Sequence, residues 1–247
     1  MSPDPFSLDG KRILVTGASS GLGRAIAVAC SQRGATIVAT GRDEIRLQET
    51  IAALDGRGHV GVHAELISAA DREQLALAAG IVDGVVHSAG ISRLSPIRMA
   101  TERHVLEIWR INYEAPVLLT QRLLAKSQIA NDGSIVFLSS IAAYIGVPAV
   151  GVYSGTKAAL IATMRCLAME VAKRRIRVNA LAPALVNTPL LVATGSVVGS
   201  LETQRAAYPL GFGEPSDVAN AAIFFLSSAS RWITGTTLVM DGGLTIT

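Results

Sequence analysis

The 247-residue sequence has few residues of several kinds, and each shortage excludes a class of protein. It contains two cysteines, Cys30 and Cys166, so a disulfide framework is excluded. Aromatic residues make up 4% and charged residues 17% of the chain, whereas 50% is hydrophobic, which excludes intrinsic disorder. The net charge is only +3, and the densest basic run, 173–177, is typical of a helix end, so we expect no nucleic-acid partner.

Continuous apolar runs of membrane length are also missing. Two charge-free stretches, 133–156 and 178–201, are long enough to span a bilayer, but glycine, proline or asparagine interrupts both. The first five residues have neither the basic nor the apolar part of a signal peptide. We therefore expect a cytoplasmic protein without a membrane partner.

What the sequence does contain is a regular alternation of short apolar runs with helical segments. The apolar runs predict strands over 12–16, 36–40, 59–64, 84–87, 134–139, 177–182 and 237–240. The segments between them predict helices over 21–33, 44–54, 69–79, 101–129, 152–174 and 217–226. This alternation predicts an α/β fold with a single doubly wound parallel sheet of the Rossmann type and helices on both faces. Because no linker or repeat interrupts it, we expect residues 1–247 to form one domain.

A glycine-rich turn joins the first predicted strand to the first predicted helix. Residues 16–23 read T-G-A-S-S-G-L-G, with the spacing G-x-x-x-G-x-G. Glycines allow a tight turn and close approach of a pyrophosphate to the helix N-terminus, whose free N–H groups favour anions. We expect six residues of this turn to hold a dinucleotide: Gly17, Ser19, Ser20, Gly21, Leu22 and Gly23.

The end of the second predicted strand bears on the choice of coenzyme. A site that prefers NAD usually places an acid there, for the ribose 2′-hydroxyl. This chain has Gly41 and Arg42, and a guanidinium suits the 2′-phosphate of NADP. The neighbouring Asp43 can neutralise Arg42, so the sequence favours NADP and leaves NAD open.

Tyr153 and Lys157 stand four residues apart at the start of a predicted helix and share one face of it. A phenol, with a pKa near ~10, is a poor acid at neutral pH unless a nearby cation stabilises its phenolate, as Lys157 can. Ser140 follows the fifth predicted strand, where its hydroxyl can donate to a carbonyl while Tyr153 gives the proton. Both positions fall at the carboxyl ends of parallel strands, where ligands bind.

A metal site is not expected. His59 and His63 are four residues apart, a spacing that brings ligands together on a helix, but they lie in a predicted strand.

Together these motifs resemble the short-chain dehydrogenase/reductase family from about Lys11 to Gly243. The resemblance implies an oxidoreductase that moves a hydride between NADP(H) and a carbonyl or secondary alcohol, with Tyr153 as general acid and base. It implies that Ser140 polarises the carbonyl, that Lys157 tunes the tyrosine and that Asn112 holds a water in the proton relay. Further coenzyme contacts are implied for Glu65, Leu66, Ser88, Ala89, Gly90, Pro183, Val186 and Thr188. Substrate contacts are implied for Leu94, Tyr144 and Pro148, with a lid around residues 188–210.

The chain departs from the family pattern at several positions. His87 and Ser88 replace the first two residues of the usual N-N-A-G, and Ala184 replaces the glycine after Pro183. Glu65 replaces an aspartate near the adenine. Ser20 stands where many NADP-preferring members carry Arg or Lys, which weakens the expectation of NADP.

Within the family, the sequence is most similar to the 3-oxoacyl-acyl-carrier-protein reductases and relatives that reduce small ketones. Arg174 occupies a basic docking position of the carrier-dependent enzymes, but Asn131 and Asp132 occupy a second one that is usually basic. Three functions stay open: reduction of a small carbonyl compound, reduction of an acyl thioester on a carrier protein, and coenzyme sensing without catalysis. The long predicted helices 101–129 and 152–174 resemble those between the subunits of family tetramers, so we expect a homotetramer.

Overall fold

The computed structural model describes residues 4–189, 191 and 205–246, and in them one sheet of seven strands. The strand order is β3-β2-β1-β4-β5-β6-β7, and each neighbouring pair is parallel. The strands are β1 Arg12–Thr16, β2 Thr36–Gly41, β3 Val60–His63, β4 Val82–His87, β5 Ile129–Leu138, β6 Arg177–Pro183 and β7 Thr237–Met240. The predicted doubly wound parallel sheet is confirmed.

Helices pack on both faces of the sheet. Their bounds are α1 Gly21–Gln32, α2 Glu44–Ala52, α3 Ala69–Ala79, α4 Glu102–Trp109, α5 Ala115–Ala125, α6 Gly151–Glu170 and α7 Pro215–Leu226. Buried residues of α1, α2 and α7 form one core, and those of α3, α5 and α6 form the other. None of the helices in the described residues is both long and apolar enough to cross a bilayer.

Alternate residues of the central strands feed the two cores. In β1, Ile13 and Val15 join the core of α1 and α7, while Leu14 joins the core of α5 and α6. All three side chains are fully buried. A strand covered on both faces takes an unbroken apolar run, which accounts for the hydrophobic composition of the chain.

The predicted single helix over 101–129 is wrong at two points. A π-helical turn, Arg110–Glu114, separates α4 from α5, and α5 ends at Ala125. Ser127 then adopts a positive φ of 54°, and Ile129 opens β5, where it pairs with Val82 of β4. An apolar residue such as Ile129 fits a helix face or a strand equally well, so periodicity cannot assign it.

The predicted helix over 152–174 is too long at its end. Helix α6 stops at Glu170, and a 3₁₀ turn over Ala172–Arg174 follows. Arg175 then takes a left-handed conformation with φ of 54°, which turns the chain into β6. Since all strands run in parallel, the carboxyl ends of the strands share one edge of the sheet, and the candidate site lies there.

Candidate active site

The glycine-rich turn after β1 packs directly against the loop that follows β4. Gly17 has a φ of +66°, and a Cβ on it would lie 2.7 Å from the Cα of Ala89. The hydroxyl oxygen of Thr16 accepts hydrogen bonds from the backbone N–H groups of Ser88 and Ala89, each at 3.1 Å. Two predicted coenzyme segments are therefore joined into one surface.

The amino end of α1 is open at this surface. Its N-cap residue Ser20 makes no side-chain capping hydrogen bond, so the cap leaves the first N–H groups of the helix to other partners. A Cβ on Gly21 would meet only Thr188, at 3.9 Å. Free N–H groups at a helix N-terminus, with room in front of them, fit the pyrophosphate of a dinucleotide.

At the corner after β2, the carboxylate that pairs with Arg42 is not the one that the sequence suggests. Asp43 does not neutralise Arg42, because its carboxylate caps α2 and pairs with Arg46 at 2.7 Å. The Arg42 guanidinium lies 3.8 Å from the carboxylate of Glu65 instead. Ser19 lies beside them, since a Cβ on Gly41 would be 2.8 Å from its hydroxyl oxygen. This corner can hold a ribose or its phosphate, and Leu66, behind it, is buried in the core.

Four predicted catalytic residues lie close together beyond β4 and β5. The ammonium nitrogen of Lys157 lies 5.6 Å from the centre of the Tyr153 ring, and the Ser140 side chain hydrogen-bonds Tyr153. A Cβ on Gly90 would lie 3.3 Å from Oδ1 of Asn112 and 3.6 Å from Nζ of Lys157. Asn112 and Lys157 therefore meet at Gly90.

The π-helical turn places Asn112 in this group. Asn112 is 1% exposed, and both polar atoms of its side chain hydrogen-bond the backbone of Ile91. Oδ1 accepts from the Ile91 N–H at 2.8 Å, and Nδ2 donates to the Ile91 carbonyl at 2.9 Å. The Asn112 amide thus fixes the backbone of the loop that carries Gly90.

Burial shapes the protonation of the tyrosine and the lysine. It raises the pKa of the Tyr153 phenol above its usual range, and the hydrogen bond with Ser140 acts in the opposite direction. Burial lowers the pKa of Lys157 to about 8, and its Nζ donates to the Leu138 carbonyl at 2.7 Å. Tyr153 is therefore protonated at neutral pH, as a proton donor must be, while Lys157 lies near its titration point.

A cavity of about 430 Å³ opens beside these groups. Several predicted contacts line it: Leu22, Ser88, Gly90, Leu94, Pro183, Val186 and Thr188. Tyr144 and Pro148 lie outside its lining. Residues 190 and 192–204 of the predicted lid lie outside the described residues.

Sequence reasoning missed other lining residues. These are Ile91, Ser92, Ile145, Val147, Val150, Leu185 and Leu244, among others. Ile91 and Ser92 directly follow Gly90, which is a signal that could have found them. Tyr208 lies within the predicted lid, whereas nothing in the sequence indicates Leu244, which reaches the cavity from the carboxyl-terminal end of the described residues.

His87, the first departure from N-N-A-G, is a packing residue. Its ring stacks on Phe137 at 4.8 Å between ring centres, and burial lowers its pKa to about 3, so it is neutral. The Thr120 hydroxyl donates to the Pro116 carbonyl, so His87 Nε2–H is the donor in its 2.7 Å bond to Thr120. His87 thus ties β4 to α5.

His59 and His63 form side-chain hydrogen bonds with the backbone. A ring nitrogen of His59 accepts from the Ile37 N–H at 3.0 Å, and His63 Nε2 lies 3.0 Å from the Arg42 carbonyl. Within the described residues, no cluster of three potential metal ligands occurs.

The two docking positions contact each other. Arg174 donates to Oδ1 of Asn131 at 3.1 Å and to the Ile129 carbonyl, and Arg175 pairs with Asp132. Helix α6 has 20 residues, which corresponds to roughly 30 Å. Arg174 therefore lies far from Tyr153 in the same chain.

Comparisons with known proteins identify the family of this chain. A family model described as enoyl-(acyl carrier protein) reductase matches residues 17–245. Dehydrogenase/reductase SDR family member 4 from Bos taurus is 34% identical over 244 residues, which cover 96% of this chain and 88% of that protein. This chain belongs to the short-chain dehydrogenase/reductase family. Like its named relatives, it is an oxidoreductase of CH–OH and carbonyl groups.

This short-chain dehydrogenase/reductase is also 32% identical to the 3-oxoacyl-[acyl-carrier-protein] reductase of Thermotoga maritima, over 97% of this chain and 99% of that one. Among solved structures, a glucose/ribitol-type family member from Brucella melitensis superposes with a TM-score of 0.92 at 30% identity, covering 99% and 100% of the two chains.

Two further structures contain coenzymes. A protein described as an NAD(P)-dependent gluconate 5-dehydrogenase, from Beutenbergia cavernae, holds NADP at low occupancy. Its TM-score is 0.89 at 32% identity, with 99% and 100% coverage. A 3-ketoacyl-(acyl-carrier-protein) reductase from Brucella melitensis holds NADH, with a TM-score of 0.88 at 30% identity and coverage of 97% and 100%. Short-chain dehydrogenase/reductases of this shape thus bind either coenzyme.

Proposed function

We propose that this short-chain dehydrogenase/reductase interconverts a ketone and a secondary alcohol with NADP(H), using Tyr153 as general acid and base. The observation that carries the proposal is the placement of Ser140, Tyr153 and Lys157 together in the lining of one cavity at the carboxyl edge of the sheet, with Lys157 beside the Tyr153 ring. A bound nicotinamide coenzyme would exchange the hydride with the carbonyl carbon.

In the direction of reduction, Tyr153 transfers its phenolic proton to the carbonyl oxygen as that oxygen gains negative charge. Ser140 polarises the carbonyl by donating a hydrogen bond to the same oxygen. The Lys157 ammonium stabilises the negative charge left on the phenolate. The same ammonium donates one hydrogen bond to the Leu138 carbonyl. In the reverse direction the phenolate takes the proton from the alcohol.

Asn112 acts in this scheme as a positioning residue. Its oxygen and nitrogen are both engaged with the Ile91 backbone, so it fixes the loop on which Gly90 faces Lys157. The family resemblance places a water molecule near Asn112, and in the proposed mechanism this water takes part in the proton relay.

The proposal assigns the 2′-phosphate of NADP to the corner of Ser19 and Arg42, where a guanidinium is exposed at the end of β2. Glu65 opposes this choice, because its carboxylate lies 3.8 Å from the same guanidinium. NAD is therefore the second candidate.

Replacement of Tyr153 tests the chemistry. In Tyr153→Phe, kcat for reduction should fall about 100- to 10,000-fold, the range supplied by a positioned general acid. The dissociation constant for the coenzyme, measured by calorimetry, should stay within about twofold. Wild-type turnover in a folded Tyr153→Phe protein would contradict the mechanism.

A carrier-bound acyl thioester is an alternative substrate, favoured by the similarity to 3-oxoacyl-[acyl-carrier-protein] reductase. Arg174 is the residue to test, and its contacts with Asn131 and Ile129 make it a poor free docking group. Arg174→Glu should lower activity on carrier-bound substrate alone if this alternative holds. A coenzyme sensor without catalysis would bind NADPH but oxidise it with no carbonyl compound.

A further inference from the structure

The substrate side of the cavity is formed by apolar side chains from three parts of the chain. The loop after β4 supplies Ile91 and Leu94, and the segment before α6 supplies Ile145 and Val150. The carboxyl-terminal part supplies Leu185 and Leu244. The cavity volume of about 430 Å³ includes the part lined by expected coenzyme contacts such as Leu22 and Thr188, so the space for the substrate is smaller.

Charge is almost absent from this cavity. Among the described residues that line it, Lys157 is the only one with an ionisable acidic or basic side chain other than the two tyrosines. Its ammonium is already engaged with Leu138 and is assigned to the phenolate of Tyr153. The described lining therefore offers no dedicated cation to a substrate carboxylate or phosphate, and an unpaired buried anion is costly.

Most hydroxyl groups of the described lining already have a role. Ser140 and Tyr153 are assigned to the carbonyl oxygen and Ser88 to the coenzyme, which leaves Ser92 as a partner for a substrate hydroxyl. The Ser139 hydroxyl donates to the Lys157 carbonyl at 2.9 Å, and the Thr188 hydroxyl donates to the Val186 carbonyl at 3.3 Å. Tyr208 hydrogen-bonds the Leu185 backbone. A polyol carries a hydroxyl on nearly every carbon, and several of these would be buried against leucine, isoleucine and valine without partners.

We propose that the site selects uncharged ketones with apolar groups on the carbonyl carbon, and discriminates against polyhydroxy and carboxylate ketones. This inference rests on the proposed function, since it concerns the substrate of that same reaction. Ser140 and Tyr153 supply the hydrogen bonds to the carbonyl oxygen, and burial of the apolar groups supplies the remaining affinity.

Turnover by the full chain tests the selectivity. With NADPH and with NADH, kcat/KM is measured for an aryl methyl ketone, its para-carboxylate and a ketose of similar size. We expect at least a tenfold preference for the aryl methyl ketone. In a series of straight-chain 2-ketones, kcat/KM should rise about fourfold per methylene until the cavity is full. Equal or greater kcat/KM for the carboxylate or the ketose would overturn the proposal.

A binding measurement separates this proposal from the proposed function. Calorimetry with the protein saturated by oxidised coenzyme gives the affinity of each ketone without any reduction. Tight binding of the aryl methyl ketone, at least tenfold tighter than the others, supports the selectivity even if no ketone is turned over. Binding of the ketose or carboxylate with equal or higher affinity, or of none of the three, overturns it.

A matched pair of variants at Ile145 locates the selectivity in the cavity. Ile145→Lys places a cation at the partly exposed lining, while Ile145→Met keeps it apolar at similar volume. In Ile145→Lys the affinity ratio of aryl ketone to its para-carboxylate should fall at least tenfold, and in Ile145→Met it should stay within about threefold. The same ratio in both variants would count against a cavity that selects by charge.

Discussion

Lys157 is a buried cation whose pKa, about 8, lies within the range in which enzymes are assayed. Its folded-state pKa is below the ordinary value of 10.5, so its charge is present below about pH 8 and lost above it. Because that charge stabilises the Tyr153 phenolate in the proposed reaction, kcat for ketone reduction should be level near neutral pH and fall as pH rises through about 8. A pH profile at saturating coenzyme measures this.

Lys157→Arg is the control for that profile, since a guanidinium keeps its charge in alkaline solution. Its residual activity should lack the fall near pH 8. A wild-type kcat that does not change between about pH 7 and 9.5 would contradict the role given to Lys157.

Arg42 and Glu65 should act on the coenzyme in opposite directions. Arg42→Ala removes the guanidinium proposed for the 2′-phosphate and should weaken NADPH binding about 10- to 100-fold, with little effect on NADH. Glu65→Gln removes the opposing carboxylate and should tighten NADPH binding by several-fold. Dissociation constants from fluorescence titration measure both.

Glu73→Gln is the matched control, because Glu73 is also a half-exposed carboxylate paired with an arginine, Arg122, but on α3 and α5. It changes the net charge as Glu65→Gln does and should leave the NADPH to NADH ratio unchanged. A similar change in the ratio for both variants would indicate a general charge effect. Surface ion pairs of this kind contribute little stability, so both proteins should fold.

Some residues of the candidate site could be predicted from the sequence, and others could not. Ser140, Tyr153 and Lys157 could be predicted because short spacings on one helix and after one strand fix their placement. The pairing of Arg42 with Glu65 could not, because it depends on how the ends of β2 and β3 lie side by side. Asp43 was the neighbour in sequence, but capping α2 occupies its carboxylate.

At the scale of elements, the α4–π–α5 segment supports the loop after β4 through Asn112. Asn112→Ala would leave the Ile91 N–H and carbonyl without their partners in a mostly buried place. The free energy of unfolding should fall by about 2–3 kcal/mol, measured by urea denaturation. The activity of the folded variant should also fall, because release of Ile91 allows the neighbouring Gly90 to move away from Lys157.

Asn112→Asp separates the two interactions. An aspartate still accepts from the Ile91 N–H but cannot donate to the Ile91 carbonyl. Its stability should lie between those of the wild type and Asn112→Ala. Unchanged stability in Asn112→Ala would show that the loop is held by other contacts.

The helical elements were predictable in their positions but not in their interruptions, since the six predicted helices become seven where the π-helical turn divides one of them. Helices that begin after clear caps, such as α3 after Ser68, begin where expected. The π-helical turn leaves no mark in the periodicity of residues 110–114, because their polar and apolar residues fit an ordinary helix as well. The early start of β5 at Ile129 was hidden for the same reason.

At the scale of the whole molecule, two separate surfaces expose apolar side chains. On α4, Leu106 is 44% exposed, and on the edge strand β7, Val239 is 38% exposed, with Trp232 nearby at 91%. A tetramer with two-fold axes needs two different self-complementary contacts. An edge strand has unpaired backbone N–H and carbonyl groups that a second subunit can cover. We therefore propose self-association through both surfaces.

Light scattering tests this assembly. The expected mass is about 103 kDa, four times the 25.7 kDa of one chain. Leu106→Glu and Val239→Glu should each reduce it to that of a dimer, by disrupting one contact and leaving the other. A wild-type mass of one chain would contradict the proposal.

The global architecture was the most predictable level of all. Continuous apolar runs such as 12–16 are buried on both faces, and that alone required parallel strands between two helical layers. The cavity was less predictable, because Leu244 lines it together with residues such as Ile91 and Ile145 that are far from it in the sequence.

The π-helical turn sets a limit on changes of chain length. It adds one residue to the span from Glu102 to Ala125 without adding a full turn. Deleting a single residue from the turn would restore an ordinary α-helix, which keeps Leu119 and Leu123 in the core but moves Asn112 away from Ile91. The extra residue therefore serves the position of Asn112 and not the packing of α5, and a variant that lacks it should keep its fold but lose activity.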